Sequence, residues 1–342
     1  MIQTKYKISN LPFKHTFTIS KGSKTHQKSF LVELEFMGVK GYGEAPAISY
    51  YNIPVEKMIE DLKSKKIFFD KASFNTPERF WHYLYHIYPG NNFLLCALDM
   101  AGWDLYGKIQ GKQLYQLWNL TLDHNPLTDI TIGIDTIENM IAKLKETPWP
   151  IYKIKLGTEN DVEIIRALRQ HTDAPFRIDA NAAWKAEEAL EKIIAFKDLN
   201  VEFIEQPLAK DDWEGMKVLF DKSPLPLIAD ESCVLETDVM KCRKHFHGIN
   251  IKLTKCGGIT PAMRMIKMAR SLQMKVMMGS MNESSIGTAA IAQMLPLLDY
   301  VDMDGPLLLE GDNAEGVTFD FGKVNYLSEP GLGIKVKPFE SE

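Results

Sequence analysis

Charged residues recur along the second half of the chain at nearly constant spacing. Each lies at or just beyond the end of a short apolar segment, with gaps of 24, 26, 25 and 25 residues: Lys155, Asp179, Glu205, Asp230 and Lys255. One strand and one helix of an α/β barrel occupy about this length, and the carboxyl ends of barrel strands meet at one mouth. The spacing therefore predicts that the five charges converge on one site.

The three acidic members of this series predict a metal site. Three carboxylates without a neighbouring histidine or cysteine form a set of hard oxygen ligands, which favours Mg2+ or Mn2+ over zinc. Any one of them alone would more simply be a helix cap or a surface ion pair. As a set, Asp179, Glu205 and Asp230 are predicted to bind one Mg2+.

The two lysines of the series suggest proton transfer. Lys155 and Lys255 lie four βα units apart, which places them nearly opposite each other in an eight-stranded ring. A carbon acid held between them can lose a proton to one lysine and regain a proton from the other, with inversion. Lys153 shares the inward face with Lys155, because side chains two apart in a strand point the same way. A Lys-x-Lys pattern is also common on solvated strands, so a purely structural interpretation stays open.

Alternating strands and helices must position these residues. After about residue 127, eight short apolar segments alternate with amphipathic helical patterns: ITIGI, YKIKL, FRIDA, VEFIE, LPLIA, GINIKL, KVMMG and DYVDM. Eight consecutive units of this kind favour an α/β fold of the (β/α)8 type, a modified TIM-like barrel, over a doubly wound sheet.

The first part of the chain has another pattern. Residues 29–45 alternate between apolar and polar with interrupting glycines, which is typical of antiparallel strands, and a helical block follows. We predict an N-terminal α+β capping domain over residues 1–126, a catalytic barrel over 127–311 and a C-terminal segment, 312–342, that returns to the capping domain. The length of 342 residues fits this division.

Composition narrows the classes of partner. A formal net charge of -5 gives no basic surface for nucleic acid, which leaves a small molecule as the expected partner. The N-terminus lacks the apolar region of a signal peptide, and no run of about 18 apolar residues predicts a membrane span. The four cysteines form no Cys-x-x-Cys pair, which fits a reducing compartment, so we predict a cytoplasmic protein.

Short motifs in the barrel resemble those of a known family. They read KIK at 153–155, DAN at 179–181, EQP at 205–207, DES at 230–232 and KLTKCGG at 252–258. In this order they resemble the muconate-lactonizing subgroup of the enolase superfamily, and GYGEAP near the N-terminus resembles the capping domain of that family.

This resemblance implies roles for individual residues. Lys155 and Lys255 would be the acid/base pair, and Lys153 would assist the carboxylate of the substrate. Glu283 would support Lys255 by a hydrogen bond. Members of the family are often oligomers, so the resemblance also implies a homo-oligomer.

The eighth predicted strand suggests the substrate. Asp302 and Asp304 share a face and are predicted to reach the barrel mouth, where two carboxylates can hold a substrate ammonium group. An Asp-x-Asp followed by Gly-Pro-Leu resembles the dipeptide epimerases of the subgroup. The alternative is an Asp pair that caps the following turn. Thr131, in the first predicted strand, is a further substrate-binding candidate.

Capping segments near residues 14–25 and 49–53 are expected to set specificity. Epimerases that act on Ala-Glu resemble the first segment but carry an arginine there, and the first 78 residues of this chain contain none. Phe17, Ile19 and Tyr50 offer apolar and aromatic surface instead. A dipeptide with a hydrophobic second residue is therefore predicted.

Two other readings of these residues stay open. An o-succinylbenzoate synthase-like dehydratase or a muconate cycloisomerase would use the same metal and lysines, but its substrate has no cation for Asp302 and Asp304. A non-catalytic binding or structural barrel would not need opposed lysines. The favoured prediction is a Mg2+-dependent dipeptide epimerase that inverts the α-carbon of the C-terminal residue of Ala-Xaa by 1,1-proton transfer.

Overall fold

Three long antiparallel strands begin the chain: β1 (Gln3–Ile19), β2 (Gly22–Phe36) and β3 (Val39–Pro46). The computed structural model describes residues 2–69 and 71–339. The pairing of β1 with β2 is irregular between Pro12 and Phe17, so a short stretch of β1 bulges out of the ladder. This bulge lies over the barrel and bears on the site described below.

The helices that follow are α1 (Val55–Ser64), α2 (Lys66–Phe69), α3 (Pro77–Ile87), α4 (Asn92–Gln110) and α5 (Leu114–Leu117). Of these, α1 and α4 contact the sheet, and α3 and α5 contact α4. The longest, α4, lies directly against β3. A Cβ atom at Gly43 would come within 1.9 Å of the carbonyl oxygen of Ala97, so only glycine permits this approach. The glycines of the GYGEAP motif therefore join the sheet to α4.

Eight parallel strands form the second sheet, in sequence order, as the βα pattern predicted. They are β4 (Ile130–Ile132), β5 (Tyr152–Lys155), β6 (Phe176–Asp179), β7 (Val201–Glu205), β8 (Leu227–Ala229), β9 (Gly248–Ile251), β10 (Lys275–Met278) and β11 (Tyr300–Val301). A parallel bridge between Thr128 and Val301 joins the two ends of the sheet and closes the barrel. The predicted fold class, a modified TIM-like barrel with an α+β cap, is confirmed.

Helices cover the outside of the barrel and differ in length. They are α6 (Ile137–Glu146), α7 (Asp161–Arg169), α8 (Ala186–Phe196), α9 (Trp213–Lys222), α10 (Val239–Cys242), α11 (Leu253–Cys256), α12 (Ile259–Ser271), α13 (Ser285–Ala292) and α14 (Gly305–Leu308). Among the described residues, the single turn of α14 is the only helix after the eighth strand, so the last βα unit is truncated. None of the helices in the described part of the chain combines the length and apolar character that a transmembrane span requires.

The C-terminal segment forms two small hairpin-like sheets from β12 (Ala314–Glu315), β13 (Thr318–Asp320), β14 (Lys323–Asn325) and β15 (Lys335–Val336). It contacts the N-terminal part, since Ser9 Oγ donates to Asn313 Oδ1 at 2.9 Å and Leu332 N donates to Asp104 Oδ1 at 2.9 Å. Residues 340–342 of the predicted returning segment lie outside the described residues. The exact domain boundaries stay a prediction.

Candidate active site

Three carboxylates meet at the carboxyl ends of neighbouring strands. Asp179 and Glu205 are the last residues of β6 and β7 and pair in register, and Asp230 directly follows β8. One oxygen from each lies within 4.8 Å of the others, and all three side chains are buried. Three buried hard oxygen donors at this separation fit a Mg2+ ion. In the described part of the chain, no other group of His, Cys, Asp and Glu side chains meets the same geometric test.

The local charges act differently on the three carboxyl groups. Burial alone would raise the pKa of Asp179, but the ammonium groups of Lys155 and Lys153 outweigh it and lower the pKa to about 2. Burial and the nearby Asp179 carboxylate raise the pKa of Glu205 to about 7. A divalent cation among the three would favour the ionised form of Glu205 by direct attraction.

Two lysines reach a common cavity from opposite sides of the barrel. Lys155 ends β5, and its Nζ donates to Asp179 Oδ2 at 2.6 Å. Lys252 directly follows β9, and its Nζ donates to Asp230 Oδ2 at 2.7 Å. Both line one cavity of about 330 Å3. Because β5 and β9 are four strands apart in an eight-stranded barrel, the two ammonium groups approach the cavity from opposite walls.

Lys255 does not lie at the barrel mouth opposite Lys155, where the sequence spacing predicted it. Lys255 lies on α11, is 1% exposed and does not line the cavity. Its Nζ donates to the carbonyl oxygens of Asp230, Cys233 and Asn250 at 2.6, 3.0 and 3.0 Å and also contacts the Asp230 carboxylate. Three protons directed at four acceptors leave none for a substrate.

The reason for the difference is where the sixth barrel strand ends. It ends at Ile251, and a helical turn begins at Leu253, so Lys252 occupies the strand-end position that Lys155 occupies in β5. Equal spacing selected the lysine three residues too late. Lys252 directly follows the apolar run GINI, and the other members of the series likewise lie at or just beyond the end of an apolar run. This signal could have identified Lys252.

Lys153 lies one layer deeper in the barrel than Lys155. Its Nζ is 2.8 Å from Asp302 Oδ2, 2.8 Å from Glu205 Oε2 and 3.3 Å from Asp179 Oδ2. Burial would lower its pKa, but these carboxylates raise it well above its usual range. Lys153 is thus a buried cation beneath the three carboxylates and is not among the described residues that line the cavity.

Asp302 and Asp304 both line the cavity next to Thr131. Asp304 Oδ2 accepts a hydrogen bond from Thr131 N at 2.6 Å, and its side chain does not cap α14, the turn that follows it. Asp302 Oδ2 pairs with Lys153, whereas Asp302 Oδ1 is buried without a hydrogen-bond partner among the described residues. A buried acceptor of this kind calls for a donor, which a substrate ammonium group can supply.

Glu283 does not contact Lys255. Its Oε2 accepts hydrogen bonds from Ser280 Oγ at 2.7 Å and from Met281 N at 2.8 Å. It therefore orders the turn of residues 280–282, which lines the cavity. The prediction that Glu283 supports Lys255 by a hydrogen bond is wrong, because the acceptors of Lys255 belong to other segments.

The capping domain supplies the remaining wall of the cavity. Phe17, Ile19 and Tyr50 line it, as the sequence predicted for a specificity surface. Two lysines that the sequence argument missed also lie here. Lys21 Nζ is 2.8 Å from Glu231 Oε1 and lies over the ring of Tyr50 at 4.0 Å.

Lys24 is the second missed lysine of the cap. It lines the cavity, and burial lowers its pKa to about 8, with Lys155 and Lys252 contributing and Glu283 opposing. The lysines of the KGSK turn carry the same charge as the arginine that the sequence lacks there. Lys24, like Lys21, brings a cation to a wall that also contains the apolar side chains of Phe17 and Ile19.

Comparison with known proteins covers nearly the whole chain. The family "Mandelate racemase / muconate lactonizing enzyme, N-terminal domain" matches residues 1–118, and "Enolase C-terminal domain-like" matches residues 136–340. An L-Ala-D/L-amino acid epimerase from Flavobacterium johnsoniae is 52% identical, with 95% of this chain and 97% of the relative covered. A protein of the same name from Maribacter sp. is 52% identical over 97% of this chain and 99% of its own.

A solved structure gives the same picture. The crystal structure of a dipeptide epimerase from Cytophaga hutchinsonii, complexed with Mg and the dipeptide D-Ala-L-Val, matches with a TM-score of 0.93. The sequences are 27% identical, and the match covers 98% of this chain and 95% of that chain. Cap and barrel therefore both have counterparts in one known fold.

Proposed function

The chain belongs to the mandelate racemase and muconate lactonizing enzyme family of the enolase superfamily, and we propose that it is a Mg2+-dependent dipeptide epimerase. The observation that carries the proposal is the pair of opposed lysines, Lys155 and Lys252, in one cavity beside three metal-ligating carboxylates. The names of the two relatives and the dipeptide in the Cytophaga structure support the same activity.

The metal site follows from the carboxylate geometry. Asp179, Glu205 and Asp230 would hold Mg2+. When bound, Mg2+ supplies electrostatic stabilisation of the negative charge that grows on the substrate carboxylate as the α-proton leaves. Lys153 adds a fixed positive charge next to Asp179 and Glu205.

The lysines carry the proton. In one direction the Lys155 amine takes the α-proton of the C-terminal residue from one face, and the Lys252 ammonium returns a proton to the other face. In the reverse direction the two exchange roles. A single base on one face would return the proton to the same side, so inversion needs both walls of the cavity.

The acidic pair orients the dipeptide. The free Oδ1 of Asp302 supports a contact with the substrate ammonium group, and Asp304 fixes the adjacent backbone of Thr131. Muconate and succinylbenzoate have no ammonium group, so this contact favours the epimerase over a cycloisomerase or a dehydratase. The N-terminal residue would then lie beside Thr131, and the C-terminal α-carbon would lie between the lysines.

The side chain of the second residue has two candidate classes. Phe17, Ile19 and Tyr50 favour a hydrophobic side chain, which is the class we propose. Lys24 favours an acidic one, because a cation in a partly buried wall attracts a carboxylate. The isosteric pair Ala-Glu and Ala-Gln separates charge from size.

A substrate panel tests this choice. We expect kcat/KM for Ala-Leu to exceed that for Ala-Glu by about tenfold or more, since hydrophobic contacts discriminate on this scale. Lys24→Met should lower activity on Ala-Glu and leave the Ala-Leu to Ala-Gln ratio nearly unchanged. A strong preference of the unmodified enzyme for Ala-Glu over both others would contradict the hydrophobic class and favour Lys24 as its anchor.

The cysteines bear on the cellular setting. All four cysteines, Cys96, Cys233, Cys242 and Cys256, are free and buried, which supports a reducing compartment such as the cytoplasm. The homo-oligomer and the exclusion of nucleic acid stay predictions.

A further inference from the structure

A second cavity of about 210 Å3 lies beside the active cavity. It is bounded by β4, α6, α14 and residues 13–17 of the cap. Ile130 and Ile132 line it because they point away from the barrel interior, into which Thr131 between them points. A complete barrel would have its eighth helix against this region, but α14 is a single turn, and space remains.

Phe17 forms part of the wall between the two cavities. Among the described residues, only Phe17 and Thr131 line both of them. The Phe17 ring stacks on the ring of Phe13, with centroids 5.4 Å apart and an interplanar angle of 15°. Phe13 lines only the second cavity, so Phe17 and Thr131 form the boundary between the two spaces, and Phe17 has the larger side chain of the two.

The bulge that carries Phe17 is fixed to the barrel at both ends. Glu310 N donates to the carbonyl oxygen of Pro12 at 2.8 Å, and Ile134 N donates to that of Thr18 at 3.0 Å. A Cβ atom at Gly133 would come within 2.8 Å of the Thr18 oxygen, so the cap strand lies directly on the end of β4. Phe17 is therefore held in place by backbone contacts on either side.

The active cavity holds its acidic pair on this same side. Asp304 accepts from the backbone of Thr131, which belongs to the shared wall, and Asp302 lies in the adjacent layer of the barrel. If these carboxylates hold the ammonium group of a dipeptide, the side chain of the first residue lies next to Phe17.

We propose that Phe17 is a specificity-determining residue that limits the first residue of the dipeptide to a small side chain. The second cavity is the space that a larger first side chain enters when this wall is removed. Phe13, Ile130, Ile132, Leu307 and Leu308 give it an apolar side that suits an aliphatic or aromatic group, whereas Lys14, Lys143 and Glu146 line the rest. Its volume exceeds the about 150 Å3 that is sufficient to hold benzene in an engineered protein cavity. This inference rests on the proposed dipeptide epimerase activity.

The test is the ratio of kcat/KM for Leu-Leu to that for Ala-Leu. The unmodified enzyme should favour Ala-Leu. Phe17→Ala should raise the ratio by about tenfold or more, mainly through a lower KM for Leu-Leu, because even one added methylene in an apolar pocket is worth about this factor. Phe17→Leu, a smaller change that keeps an apolar cover, should raise it by less.

Two matched variants separate the wall from cavity size in general. Leu308→Ala enlarges the second cavity without touching the wall, and Ile19→Ala enlarges only the active cavity. Neither should raise the ratio. An equal rise with Leu308→Ala would overturn the inference, as would an unchanged ratio in Phe17→Ala that still turns over Ala-Leu.

The remaining outcomes are also decisive. If Phe17→Ala loses activity on both dipeptides, the ratio in Phe17→Leu decides, and a ratio at or below the unmodified value rejects the inference. If the unmodified enzyme acts on no dipeptide, the proposed function fails, and the inference fails with it. Activity on Ala-Leu thus distinguishes failure of the inference from failure of the function.

Discussion

Lys252 and Lys255 are three residues apart and have different surroundings. Lys252 is 7% exposed and lines the cavity, whereas Lys255 is 1% exposed and holds three backbone carbonyl groups and the Asp230 carboxylate. A lysine saturated by fixed acceptors is a structural residue. A lysine at the edge of a cavity, with one carboxylate partner, is available to a substrate.

Exchanging each lysine for methionine should separate these roles. Lys252→Met should reduce kcat by about 100-fold or more, the usual effect of losing a general acid or base, with a small change in Tm. Lys255→Met should lower the free energy of unfolding by about 2–4 kcal/mol, because buried acceptors lose their donor. At temperatures below the Tm of this variant, its kcat should stay within about tenfold of that of the unmodified enzyme. Steady-state kinetics and thermal denaturation of both variants check this. The reverse pattern would restore Lys255 as the catalytic residue.

At the scale of elements, buried carboxylates join the capping domain to the barrel. Glu44 of β3 accepts hydrogen bonds from Ser284 N, Ser284 Oγ and Gly287 N at the start of α13, at 3.0, 2.6 and 3.1 Å. Asp99 of α4 accepts from Thr260 N and Oγ1 at 2.8 and 2.7 Å, at the start of α12. Negative charge at these helix starts is favourable. The contact of Glu44 also places the 280–282 turn of the cavity.

The titration of Glu44 gives a stability prediction. Burial raises its pKa to about 7 in the folded protein, from about 4.3 in an unfolded chain. The folded state therefore binds the proton more tightly, and stability falls as pH rises from about 4.5 to about 7, by about 4 kcal/mol at most from this group. Glu44→Gln removes this contribution. The free energy of unfolding of the unmodified protein minus that of the variant should thus fall between pH 5 and pH 8.

Denaturant unfolding at fixed Mg2+ concentration measures that difference. Glu187→Gln, at an exposed position of α8, is the matched control and should show no such pH dependence. If the free energy of unfolding of the unmodified protein minus that of Glu44→Gln stays constant or rises with pH, the pKa of Glu44 is not raised.

Some strands and loops of the barrel and cap could be predicted from the sequence, and others could not. The barrel strands were predictable because they are short apolar runs between amphipathic helices, and four strand-end charges followed from them. The segment GINIKLTKC was ambiguous, because the apolar run GINI points to Lys252 whereas the regular spacing of the series points to Lys255, and β9 ends at Ile251. The position of Phe17 depends on a bulge and on contacts with residues far along the chain, which local periodicity does not encode.

At the scale of the whole molecule, neither domain makes the site alone. The barrel supplies the carboxylates and the opposed lysines, and the cap supplies the apolar wall. Lys21 connects the two, since its ammonium group contacts Glu231, the neighbour of metal-ligand candidate Asp230. Binding of the metal would thus affect both the stability of the folded chain and its activity.

Removal of the metal tests that link. We expect EDTA to abolish epimerisation and Mg2+ to restore it. Mg2+ at about 100 times its Kd should stabilise the folded protein by about 2.7 kcal/mol and raise Tm by several degrees. Glu205→Gln keeps the acceptor of Asn250 Nδ2 but loses a ligand charge, so it should remove most of this shift. A Tm shift that persists in the variant would place the ion elsewhere.

The most direct measurement is α-proton exchange of L-Ala-L-Leu and L-Ala-D-Leu in D2O, followed by mass spectrometry and NMR. The unmodified enzyme with Mg2+ should label and interconvert both dipeptides. Lys252→Ala and Lys155→Ala should each lose interconversion, and each should retain exchange from only one of the two diastereomers, opposite in the two variants. Interconversion by Lys252→Ala, or exchange of both diastereomers in either variant, would contradict a mechanism with one lysine on each face.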